Sequence, residues 1–246
     1  MYTALIVEPR KHKAFEFVLK NFVKNLDTRW EFVIYHGSSN LEFIVDIITR
    51  NPEMKSRKFS LYDLGVDNLT IKQYSDLFYN PKFYDPINTE MFLVFQTDTM
   101  ISNKNAYKIY EFMHYDYVGA PWLNILDHFD NKEHVIGNGG LSLRRKSKML
   151  YLIDVCKDHC LKNRDLYPEL EFEDRFFSYT CNGFYLKDFR INKPITTNAM
   201  NFSVESIYYE NPFGVHKPWK QLTEEQFNDL SKAFEGLDEL RYLNLS

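Results

Sequence analysis

Apolar positions along the first hundred residues alternate between short unbroken runs and stripes spaced three and four apart. Tyr2 to Val7 reads as a short buried strand that stops at Glu8-Pro9-Arg10. Phe15, Val18, Leu19, Phe22, Val23 and Leu26 then share one helical face. Trp30 to Tyr35 is a second strand, broken at His36-Gly37, and Ser39 with Glu42 forms a capping-box signature before Leu41, Ile44, Val45 and Ile48. Lys58 to Leu64 is a third strand. Thr70 with Gln73 repeats the capping signal ahead of Ile71, Tyr74, Leu77 and Phe78. Met91 to Phe95 is apolar throughout, as in a central strand covered on both faces. This alternation predicts an open, mostly parallel α/β sheet, whose ligands bind beyond the carboxyl ends of the strands.

The regularity fades after residue 100. Tyr117 to Ala120 and Leu141 to Leu143 read as strands, Ser147 to Lys162 as a helix, and Leu123 to His134 as an irregular polar loop. Thr223 to Leu240 opens on a Thr-x-x-Gln cap and carries Phe227, Leu230, Phe234 and Leu237 on one face, predicting a single closing helix. Nothing resembles a repeat or a linker. The expectation is one domain with a regular first half and an irregular second half.

The formal net charge of −4 argues against a nucleic-acid surface, which carries a basic excess. Aromatic residues, 17 Tyr and 21 Phe among them, fit either sugar stacking or a compositional bias. Cys156, Cys160 and Cys181 are an odd count with no disulfide framework, and His159 between the first two lacks the further ligands zinc requires. They predict buried free thiols and a reducing compartment. With no long apolar run and no charged leader before one, the expectation is a soluble, cytoplasmic protein with no membrane anchor.

Candidate chemistry gathers at the predicted strand ends. Gln96-Thr97-Asp98 follows the central strand, where a carboxylate can hold a hard divalent cation that bridges phosphate oxygens, or can simply be a solvated turn residue. Gly137-Asn138-Gly139-Gly140 places three of nine glycines in one turn, either a tight strand connection or a backbone brought close to a ligand. Glu171, Glu173 and Asp174 can favour a helix dipole, or supply a general base. Pro212 to Trp219 is rigid and aromatic, and presents His216 beside Lys217.

Taken in order, Phe95-Gln96-Thr97-Asp98-Thr99, Asp116 to Trp122, Gly137 to Arg144, Glu173-Asp174 before Phe176-Phe177-Ser178, and Pro212 to Trp219 resemble a family of GT-A-type glycosyltransferase-like proteins. That family is found among others in giant DNA viruses, and its members are commonly known as a domain of unknown function. The resemblance spans Ala4 to Trp219. It implies a Rossmann-like GT-A domain that transfers a hexose from a UDP-sugar to a glycan or protein hydroxyl, with Mn2+ (or Mg2+) as cofactor. Gln96-Thr97-Asp98 stands where such enzymes carry Asp-x-Asp, with Gln96 replacing the first acid. The resemblance further implies Asp98 and His216 as metal ligands, and Asp174 or Glu173 as the base of an inverting reaction. By position it puts Glu8, Arg10 and His36 around uracil and ribose. Trp122, Asn138, Gly139 and Gly140 would border the donor sugar, and Lys217 the diphosphate.

On this reading residues 1–122 bind the nucleotide sugar, 123–222 form the acceptor and catalytic half, and 223–246 the closing helix. Two other readings remain: a nucleotide-sugar or glycan-binding module that does not transfer, and a nucleotidyltransferase. The second would carry a Gly-rich basic loop after the first strand, and Glu8-Pro9-Arg10-Lys11 has no glycine.

Overall fold

The computed structural model describes residues 1–122, 136–162, 172–181 and 191–246. The expected loop from Leu123 to His134, and Glu171, lie outside the described residues. In chain order the strands are β1 (Tyr2–Glu8), β2 (Trp30–His36), β3 (Phe59–Asp63), β4 (Met91–Phe95), β5 (Thr99–Ile101), β6 (Tyr117–Gly119), β7 (Leu141–Arg145), β8 (Ser203–Val204) and β9 (Gly214–His216). The helices are α1 (Phe15–Asn25), α2 (Leu41–Arg50), α3 (Ile71–Phe78), α4 (Lys146–Lys162), α5 (Glu173–Cys181), α6 (Thr196–Phe202), α7 (Glu224–Ala233) and α8 (Leu237–Leu245).

Six strands form the main sheet in the order β3-β2-β1-β4-β7-β6. Strands β1 to β4 pair in parallel, whereas β7 runs antiparallel to both β4 and β6. Successive residues of each central strand feed opposite cores. Ala4, Ile6, Leu93 and Phe95 pack on one face, and Leu5, Val7, Phe92 and Val94 on the other. Burial on both faces explains why these strands read as unbroken apolar runs. The chain is one α/β domain with a mixed sheet between helices; the strand pattern predicts its parallel half, β1 to β4. A small second sheet, β5-β9-β8, stands beyond the end of β4.

Both capping boxes predicted at Thr70/Gln73 and Thr223/Gln226 form. The one predicted at Ser39/Glu42 does not. Helix α2 starts after Asn40 with no side-chain cap, because the Asn40 side chain turns to other work at the ends of β1 and β2. The inward face of α2 is Ile44 and Ile47, while Leu41 and Val45 are exposed. Ile71, first of the apolar residues after the Thr70 cap, is also exposed, since the first turn of α3 borders open space. The single closing helix is two, α7 and α8, divided at Gly236, whose φ of 91° is left-handed. Its predicted inward residues Phe227, Leu230, Phe234 and Leu237 are all buried. Cys156 is buried on α4. No helix among the described residues is long and apolar enough to cross a membrane.

Candidate active site

The chain leaves β1 toward β2 and β3 on one side, and returns through β4 on the other. Such a reversal opens a crevice at the carboxyl ends of the two strands. A cleft of about 470 Å3 lies there, with walls that include Glu8 and Arg10 after β1, Gln96, Thr97 and Asp98 after β4, Asn138-Gly139-Gly140 before β7, Glu173 and Asp174 at the start of α5, and His216 and Lys217 at the end of β9. Twelve of the fourteen residues that the family resemblance assigns to the site therefore meet in one cavity. His36 and Trp122 do not line it. His36 is buried, with Nδ1 2.8 Å from the carbonyl oxygen of Gly37.

The second sheet explains how distant residues converge. Strand β5 follows directly after Asp98 and pairs antiparallel with β9, Thr99 opposite His216. The Lys217 amide donates to the Asp98 carbonyl at 2.9 Å, and Lys217 takes a left-handed φ of 36° as the chain turns. Asp98 Oδ1 and His216 Nε2 come within 3.3 Å, although neither atom completes a hydrogen bond. Burial opposes charge on both groups, but their mutual attraction outweighs it. It holds Asp98 at about 2 with help from Lys217, and lifts His216 to about 9 with help from Glu205.

The glycines earn their places by close approach. A Cβ on Gly140 would lie 2.3 Å from the His216 imidazole, and one on Gly139 would lie 2.5 Å from Glu173 Oε1. Beneath this turn Arg144, fully buried, grips Glu173 with two hydrogen bonds of 2.8 and 3.1 Å. Phe78, Tyr117 and Phe177 surround its guanidinium. Asp174, also on the cleft wall, is differently partnered: it accepts from the backbone amides of Gly139 and Arg175. Burial raises its carboxyl above the usual range, and those amides only partly offset this. Burial likewise raises Glu173 despite Arg144.

Glu8 receives three hydrogen bonds from Arg10, through its backbone amide, Nε and an end nitrogen, which stiffens the first wall of the cleft. Asn40, missed in the sequence, binds the Glu8 and Arg10 carbonyls and accepts from the Gly37 amide. Tyr74, read there only as one of the residues after a helix cap, lines the cleft with a buried hydroxyl that completes no hydrogen bond. Asn68, Thr70 and Ser75 were missed as well. A partner hydrogen-bonded across thirty residues leaves no trace in local periodicity. Among the described residues no group of three or more His, Cys, Asp or Glu is placed to hold a metal ion.

The sequence profile of a family of proteins of unknown function (DUF5672) matches residues 63–216. No curated protein matches the chain in sequence. Among solved structures it is similar to the glycosyltransferase GlyE of Streptococcus pneumoniae TIGR4, at a TM-score of 0.54 and 12% identity over 98% of this chain. The match spans 62% of the GlyE chain. Mouse xyloside xylosyltransferase 1 gives a TM-score of 0.56 at 11% identity, with 91% of this chain and 100% of that one covered. The galactosyltransferase LgtC, crystallised with donor and acceptor sugar analogues, gives 0.58 at 9% identity, covering 98% and 94%. At such identities the likeness is one of fold, and the fold is that of GT-A glycosyltransferases. The chain thus belongs to the DUF5672 family of proteins of unknown function, and its domain has a glycosyltransferase-like GT-A fold.

Proposed function

We propose that this cleft binds a UDP-sugar and transfers its hexose to the hydroxyl of a glycan or protein acceptor. The observation that carries the reading is the facing pair Asp98 and His216, buried at the contact, lacking hydrogen bonds, and set in the same cleft as Lys217, Arg10 and Asp174. The likeness to LgtC, solved with donor and acceptor sugar analogues, supports it.

The donor set fits a divalent ion such as Mn2+ or Mg2+, since a carboxylate oxygen and an imidazole nitrogen, both unsatisfied, face each other. Two protein ligands suffice for an ion that takes its remaining oxygens from phosphate and water. When bound, it would neutralise charge on the departing diphosphate. Lys217, 29% exposed, and Arg10 add fixed positive charge along the same walls. Asp174, with its raised carboxyl, is the group suited to take the proton from the acceptor hydroxyl. Glu173, neutralised by Arg144, serves as support. A base used in direct displacement inverts the anomeric centre. Residues 1–122 would then hold the donor, and 123–222 the acceptor.

A panel of nucleotide sugars, with and without manganese, tests this by thermal shift. A ligand at a hundred times its Kd stabilises by about 2.7 kcal/mol. UDP and its sugars should stabilise the protein only with the metal, and no manganese-dependent shift would refute the reading. The second reading, binding without transfer, is favoured by Gln96 in place of an acid. Release of free UDP from donor in the presence of acceptor mixtures separates the two.

A further inference from the structure

Strand β8 runs parallel to β9 with Ser203 opposite Gly214 and Val204 opposite Val215. Extending that register by one residue sets Glu205 beside His216. Glu205 is buried, its side chain 8% exposed, and it is not among the residues that line the cleft. Its Oε1 lies 3.3 Å from His216 Nδ1 and 3.5 Å from Lys217 Nζ. One carboxylate oxygen thus faces two consecutive residues of the opposite strand end.

The imidazole is constrained on three sides. Nδ1 faces Glu205, Nε2 faces Asp98, and the Gly140 backbone lies so close that a methyl group there would overlap the ring. A buried carboxylate is costly unless paired, and within 4 Å Glu205 has only these two cationic partners among the described residues. The cost makes sense if the group has a job at the imidazole. A carboxylate on one ring nitrogen keeps the proton there and leaves the lone pair of the other for a cation.

We infer that Glu205 is a positioning residue of the metal site, fixing His216 with Nδ1 protonated and Nε2 turned to the ion. The inference rests on the proposed metal reading of the cleft. It adds a residue that no motif contains and that touches neither donor nor ion.

The test is manganese affinity in the presence of UDP, read from the electron paramagnetic resonance signal of free Mn2+. Glu205→Gln should weaken manganese binding by about 10- to 100-fold, while the metal-free protein keeps the wild-type circular dichroism spectrum. In a His216→Ala background the same substitution should cause no further loss, an outcome a purely structural role would not give. Glu205→Asp, which keeps the charge but shortens the reach, should fall between, and it serves if Glu205→Gln does not fold. Wild-type manganese affinity in Glu205→Gln, or an undiminished effect without His216, overturns the inference. A wild-type protein that binds no manganese with UDP overturns the metal reading itself, and the inference with it.

Discussion

Glu173 and Asp174 are sequence neighbours with similar chemistry, and in the sequence either could be the base. The fold separates them. Both border the cleft, but Glu173 is bound to a fully buried arginine, whereas Asp174 rests on two backbone amides. Substitution should therefore give opposite signatures. Glu173→Gln strips the charge partner from buried Arg144 and should cost about 3–5 kcal/mol of stability, measured by urea unfolding. Asp174→Asn should leave stability and donor affinity near wild type but slow transfer by about two to four orders of magnitude. Wild-type transfer in Asp174→Asn removes it as the base, and the anomeric configuration of the product then decides between inversion and retention. Asp98→Ala should abolish manganese-dependent stabilisation by UDP with the sheet intact, as seen by circular dichroism.

At the scale of elements, long amphipathic and apolar segments were legible, and so was the short β6, but the strands of the second sheet were not. Strands β5, β8 and β9 are too short to show a period, and their pairing is non-local, so the sheet that joins Asp98 to His216 had no local signature. The family motifs nonetheless led to both residues. The α2 cap was misread because Asn40, adjacent to the predicted capping Ser39, holds the loop after β1 instead of the helix. The Gly139-Gly140 turn was recognisable, but not its reason: in the fold the two glycines admit different partners, Glu173 and His216. Gly140→Ala should displace the imidazole or the end of β9. The expected result is a loss of about 1–3 kcal/mol in stability together with weakened manganese-dependent UDP binding. A variant with wild-type metal response would show that the ring has room to move.

Across the whole molecule, the charges around His216 tie metal-free stability to pH. The His216 imidazole rises from an ordinary 6.5 to about 9, with burial opposing and Asp98 and Glu205 prevailing. Its contribution is fully present below pH 6.5 and lost as the pH climbs through 9. Asp98, lowered from 3.8 to about 2, describes the same contact from the other side. Its share is present above pH 3.8 and lost as the pH falls through 2. Lys217 and Glu205 also face this pair. Thermal melts of the metal-free protein should decline between pH 6.5 and 9, and His216→Gln should flatten that decline. Equal slopes in the two proteins would contradict it.

The pairing of β5 with β9 also has a consequence for synthesis. Asp98 emerges from the ribosome with the parallel half of the main sheet, long before the strand that carries His216. Until that late strand arrives, the aspartate has no imidazole to face, and closing so long a loop adds an entropic cost to assembly. A nascent or prematurely terminated chain could fold β1 to β4 and still be unable to hold a metal-bound nucleotide. Retention on a UDP-manganese matrix would then sort finished molecules from stalled ones.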